Sequence, residues 1–312
     1  QGLRQEKQLG PLAALANQMS GGTAYTVDFG MRQGIPEFQL SSTLQGLALN
    51  LPAPLAKPAE AALPVRLQAS VMAPDASGAV ARQDLLRLDI GRLLSMRYAR
   101  EHSEGRVQVL RGVLALGQAT AEAIPLPDAG VVASVQLEAL DVDAWRRAAT
   151  ASPSTTTAGA GDSGVPLVLQ DYLPTSLMIQ VGTLQAGGQT FSQIVAGGTR
   201  EGQIWRANLD ARELSGYLEY RMPTRAGAGS VYARLARLVL AQENAQGVET
   251  LLDEQPISIP ALDVVINSLE LRGKNLGRVE IEAVGLQIGV DARALARTGL
   301  HEGDAALDRA AV

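Results

Sequence analysis

The chain carries few residues able to do chemistry. Histidine occurs twice, at His102 and His301. A metal site or a catalytic triad needs several converging partners around such a residue. His102 stands in the charged run Arg100-Glu101-His102-Ser103-Glu104, which reads as a solvated loop, and His301 stands in an Ala- and Arg-rich tail. Cysteine is absent, which excludes thiol nucleophiles, thiolate zinc sites and disulfides. Gly159 to Gly164 spells G-x-G-x-x-G, but that fingerprint cradles a phosphate only between a strand and a helix. Here it follows Ser154 and a run of threonines, so it reads as linker. No G-x-S-x-G, H-E-x-x-H or P-loop pattern occurs. Asp141 and Asp143 could pair for acid–base work, yet an N-cap on a short helix through Trp145 and Ala149 explains them more simply. Asp89, Glu138 and Glu219 fall at the polar parity of their strands, the solvated face. The sequence therefore predicts no catalytic residue, no cofactor site and no metal site.

What the sequence does offer is a large apolar surface, and the stretch from Leu173 to Pro223 shows how it is arranged. Leu177, Ile179 and Val181 share one parity, Trp205, Ala207 and Leu209 another run, and Leu218 and Tyr220 a third. Alternation with period two marks strands with one buried face. Ala186-Gly187-Gly188, Gly197-Gly198 and Arg200-Glu201-Gly202 can supply the positive φ angles of tight hairpins. The expected element is an antiparallel meander with one apolar face. Its candidate lining, with later strands included, is Leu177, Ile179, Val181, Trp205, Leu209, Leu218, Tyr220, Val231, Leu235, Val264 and Ile266. Trp205 suits core packing or a lipid-contacting groove, and Trp145 anchors its short helix on the sheet.

The same pattern extends along the chain. Tyr25, Val27, Phe29 and Met31 alternate cleanly, and Phe38 to Asn50 alternates with a phase change expected as a bulge near Gly46. Leu51-Pro52-Ala53-Pro54-Leu55 is extended connection, because proline removes ladder donors. Further strands are expected over 64–73, 85–90, 105–116, 130–140, 230–240 and 257–290, and a short helix after Gly10-Pro11. The organisation expected is a first β segment over 1–149, a Ser/Thr/Gly-rich linker or surface insertion over 150–164, a second β-meander over 165–290 continuing the same groove, and a tail over 291–312. The formal charge, 27 basic against 32 acidic residues for a net −5, excludes a nucleic-acid surface, which needs a concentrated basic face. No run of about 18 apolar residues occurs to span a bilayer as a helix, and no signal peptide is visible. Gln1 implies a mature form or an excised piece.

Several segments together resemble a known group. They are Leu44-Gln45-Gly46-Leu47 followed by Leu51 to Leu55 and Lys57; Leu140 to Trp145 before a variable insertion; Leu184 to Gly188 with Phe191, Trp205, Leu209 and Gly216; and Ile259 to Asp263 followed by Gly273 to Gly277. In this order the chain resembles the YhdP family of the AsmA-like superfamily over roughly residues 22–285. The resemblance implies a mainly β fold: a long, curved antiparallel sheet, a taco-like β-groove with an apolar interior and a few short helices. It implies a non-enzymatic periplasmic segment of a protein anchored in the inner membrane by parts absent from this chain. Such a segment would hold or conduct phospholipid acyl chains between inner and outer membranes and support the outer-membrane permeability barrier. Its partners would be phospholipid or another acyl lipid, with envelope proteins beside it.

The residues lead separately to the same place. A sheet with one apolar face must bury that face against something, and little helix is available. The alternative is a structural or partner-docking envelope domain with a closed core. An envelope enzyme, the third reading, lacks a cluster of polar groups.

Overall fold

In the computed structural model, the structure describes residues 18–32, 34–72, 82–103, 106–117, 121–150, 171–223, 229–240, 258–283 and 286–287. Period-two patterning dominates these segments, and they form strands accordingly. In chain order they are β1 (Met19–Gly21), β2 (Tyr25–Arg32), β3 (Ile35–Ser42), β4 (Leu47–Leu49), β5 (Val65–Val71), β6 (Gln83–Ile90), β7 (Leu94–Ser103), β8 (Arg106–Gly117) and β9 (Gly130–Asp141). One helix follows among the described residues, α1 (Val142–Thr150). The chain continues with β10 (Ser176–Ala186), β11 (Gln189–Glu201), β12 (Ile204–Asp210), β13 (Leu214–Arg221), β14 (Ser230–Leu240), β15 (Ser258–Ile259), β16 (Ala261–Leu271), β17 (Lys274–Ala283) and β18 (Leu286–Gln287).

Fourteen of these strands make one sheet, ordered β17-β16-β14-β13-β12-β11-β10-β9-β8-β7-β6-β5-β3-β2. The expected antiparallel meander is present from β10 to β14. The sheet as a whole is mixed, because β8–β9, β9–β10 and β14–β16 pair in parallel. Each parallel joint follows a long connection, 118–129, 142–175 and 241–260 respectively. Parallel neighbours require that length, since the chain must return to the starting end before pairing. Pairing of β9 with β10 carries the sheet across the Ser/Thr-rich stretch, which itself lies outside the described residues, as do the Gly10-Pro11 segment and the 291–312 tail.

Three local readings differ from the sequence expectation. Arg100 to Ser103, expected as a charged loop, is the end of strand β7; the charged residues hid the continuation of an alternation of Leu94, Met96 and Tyr98. Gly197-Gly198 lies inside β11 and makes no turn. Glycine is needed there for approach, since a Cβ on Gly198 would meet the Arg206 carbonyl oxygen at 2.7 Å. The Phe38–Asn50 run divides into β3, in the large sheet, and β4, which pairs with β1 in a sheet of its own; Gly46, at φ +91°, makes the turn between them.

Candidate functional site

Registry across the ladder gives each face of the sheet its character. One row runs Val27, Leu40, Leu67, Leu88, Met96, Leu114, Ala133, Leu177, Gly198, Ala207, Leu218, Ala233, Val264, Ile281. It takes one residue from every strand and contains no polar side chain. The parallel row two residues away, Val135, Ile179, Ala196, Leu209, Gly216, Leu235, Ile266, Val279, is likewise apolar. On the other side of the first row lie Trp205, Tyr220, Val231 and Leu262. Val181, opposite Ile194, continues the same face. All eleven residues expected to line a groove therefore share one face of one sheet. The site list drawn from the sequence stopped at β10, and the face runs on through Leu114, Met96, Leu88, Leu67 and Leu40 to the β2 edge.

The opposite face is polar. It holds Arg87 with Asp89 at 2.8 Å, Arg206 with Glu201 at 2.7 Å and Glu219 at 3.2 Å, and Arg234 with Asp263 at 2.8 Å. Asp89 and Glu219 thus sit on the face that their parity predicts. Over β7 and β8 this polar face is covered by residues 121–126, where Ala121, Ile124 and Leu126 pack on Val113 and Ala115.

Among the described residues, no second sheet covers the apolar face. In a two-layer sandwich the inward side chains of central strands are buried. Here Leu88, Met96, Leu114, Ile179, Leu209 and Leu218 are only half-buried. Burial on this face falls in patches, one around Ala69, Tyr98, Val131 and Ala133, one around Val181, Ile194 and Ala211, and another around Ala233, Leu235 and Ile266. At the β2 edge Tyr25, Val27, Phe29 and Met31 are exposed.

Both ends of this face are bridged. At one rim Trp145 of α1 donates its indole Nε1 to the Ala53 carbonyl, 3.0 Å away. Four ladder joints separate β9, which leads into α1, from β5, which follows the Ala53 segment; at about 4.8 Å per joint that is roughly 19 Å along the sheet. The contact closes a chord between the two flanks, consistent with a curved groove. Asp141 caps α1, accepting the Ala144 amide at 2.7 Å. Asp143 accepts the Gly187 and Gly188 amides, both at 2.8 Å. The Gly188 and Gly187 amides hold its carboxyl below the usual aspartate range.

At the other rim a polar cluster interrupts the apolar face. Asp84, 1 % exposed, receives Arg100 through Nε at 2.9 Å and Nη2 at 2.5 Å. His102 Nε2 lies 3.2 Å from the same carboxylate. His102 is therefore a strand residue beside a buried ion pair and not a loop residue; the signal that could have found it is the pairing of Asp84 with Arg100 across β6 and β7. Tyr98 lies over Gly112, where a Cβ would meet its ring at 2.4 Å. Burial pushes the Tyr98 phenol up to about 12. Among the described residues no three His, Asp or Glu side chains converge as a metal site. The G-x-G-x-x-G stretch and His301 lie outside the described residues.

A family model described as YhdP protein matches residues 1–302. The chain belongs to the YhdP family. No curated protein and no solved structure matches it. The YhdP family, within the AsmA-like superfamily, and the all-β fold support a general role in periplasmic lipid transport. Its members are non-enzymatic transport proteins, in keeping with the lack of catalytic motifs in the sequence. Among the described residues of this YhdP segment, no helix is long and apolar enough to cross a membrane.

Proposed function

We propose that this chain holds phospholipid acyl chains against the apolar face of its fourteen-stranded sheet. It does so as a periplasmic segment of a protein anchored in the inner membrane by other parts. In that place it helps lipid pass between inner and outer membranes and supports the outer-membrane permeability barrier. The observation carrying this reading is the apolar row from Val27 to Ile281, which crosses all fourteen strands of the large sheet and, among the described residues, meets no second sheet. Thirteen joints at about 4.8 Å make the row roughly 60 Å long. That is about four times the ~15 Å half-thickness of a bilayer's hydrocarbon core, so several acyl chains fit in file. Each methylene removed from water contributes about 0.8 kcal/mol, so retention needs no reactive group. The half-exposure of Leu209 and Leu218 favours this groove over a closed structural core.

Native mass spectrometry of the purified chain tests it. Co-purified phospholipid is expected, lost in Ile179→Asp and Leu218→Asp and kept in Val195→Asp, whose side chain lies on the opposite face and is 55 % exposed. A protein that carries no lipid, or that keeps lipid equally in all three variants, refutes the reading.

A further inference from the structure

Residues 171–174 run across the apolar face without joining its ladder, which the chain enters at Thr175. From β7, the Tyr98 hydroxyl donates to the Tyr172 carbonyl at 3.0 Å, and the two rings meet edge to face at 5.1 Å. Arg100 Nη1 lies 3.4 Å from the Tyr172 hydroxyl, while Asp84 fixes the rest of that guanidinium. From β11, Arg200 Nε donates to the Pro174 carbonyl at 2.9 Å and Nη2 to the Leu173 carbonyl at 3.2 Å. Tyr98, Arg100 and Arg200 all project from the apolar face, and β7 and β11 are four joints apart in the sheet. The segment is therefore a chord above β8, β9 and β10. It lies one inward-facing position beyond the apolar row at Leu114, Ala133 and Leu177, since Tyr98, Gly112 and Val131 form the neighbouring row.

The two ends of the segment are held differently. Thr175 is tied to backbone on both sides: its amide donates to Val131 and its carbonyl accepts from the Arg200 amide, each at 2.8 Å. Its hydroxyl also receives the Val131 amide at 3.0 Å. Tyr172 is held by the side chains of Tyr98 and Arg100. Backbone ladder bonds open with their strands, whereas a side-chain contact releases by rotamer change.

We infer that residues 171–175 are a strap hinged at Thr175 and latched at Tyr172, which must lift for an acyl chain to enter or leave the groove beneath it. This rests on the groove reading above. The strap controls rate; the amount of lipid held at equilibrium is set by the wall.

The absence of native cysteine allows a direct test on the full chain. Uptake of a fluorescent phospholipid from phosphatidylethanolamine/phosphatidylglycerol vesicles is followed in time. Tyr98→Phe removes the latching hydroxyl but keeps the ring over Gly112, and several-fold faster uptake to an unchanged plateau is expected. In Tyr98→Cys/Tyr172→Cys, a short bis-thiosulfonate bridge should slow uptake about tenfold or more, with recovery on reduction. Equal rates for Tyr98→Phe and the unmodified chain, or for the bridged and reduced forms, overturn the strap while lipid at the plateau leaves the groove intact. Failure of the unmodified chain to take up or carry any lipid overturns both.

Discussion

Asp84→Asn isolates the one deeply buried ion pair described on the otherwise apolar face. The carboxylate is 1 % exposed and the Arg100 side chain 14 %. Substitution keeps the shape and removes the charge, so the guanidinium stays in place with its counter-ion gone. Two unit charges about 4 Å apart interact by about 4 kcal/mol at an effective dielectric of ~20. Measured losses for breaking one side of a buried pair run about 3–5 kcal/mol, so the two approaches agree. Urea unfolding followed by circular dichroism, with the m-value checked for constancy, measures the loss. Glu201→Gln supplies the contrast. Glu201 is 74 % exposed and pairs with Arg206 on the polar face, where solvent screens the pair and its loss should barely move the midpoint. Replacing both Asp84 and Arg100 by leucine should recover most of the loss, because no uncompensated charge remains. Equal midpoints for Asp84→Asn and Glu201→Gln, or a loss below about 1 kcal/mol in Asp84→Asn, would refute the burial argument.

Two further outcomes follow from the same geometry. Tyr98 is raised to about 12 in the fold by burial, against about 10 unfolded. Its contribution is complete below pH ~10 and is lost as pH climbs through the folded value, about 2–3 kcal/mol in all; an alkaline denaturation profile of Tyr98→Phe should lack that component. Gly182→Ala should cost at least about 1–3 kcal/mol by thermal or urea unfolding, since the new Cβ would stand 2.6 Å from the Glu138 carbonyl oxygen. A Gly182→Ala protein as stable as the parent would show that β9 and β10 can part without penalty.

The path of the apolar face past Gly182 shows where sequence periodicity stops being informative. Leu177, Ile179 and Val181 follow one parity, yet Leu184 packs in the same cluster as Val181. The change falls where Glu138, Gly182 and Gln193 stand side by side between paired rows, with Gln193 at φ +56°. A strand read alone shows only a broken alternation. The neighbours' register shows that three strands break at one level.

Alternation of small apolar residues was enough to determine that this chain is mainly β and that its strands carry apolar residues at every second position. That property is local, because side chains alternate sides whatever the strand pairs with. Strand order was beyond it: the parallel joints at β9 and β16 depend on where long connections return the chain. So was the Asp84–Arg100 pair, whose members are 16 residues apart and meet only through the β6–β7 register. The strap is the extreme case. Residues 171–175 carry no periodicity, and their place above the groove is set by side chains arriving from strands on either flank.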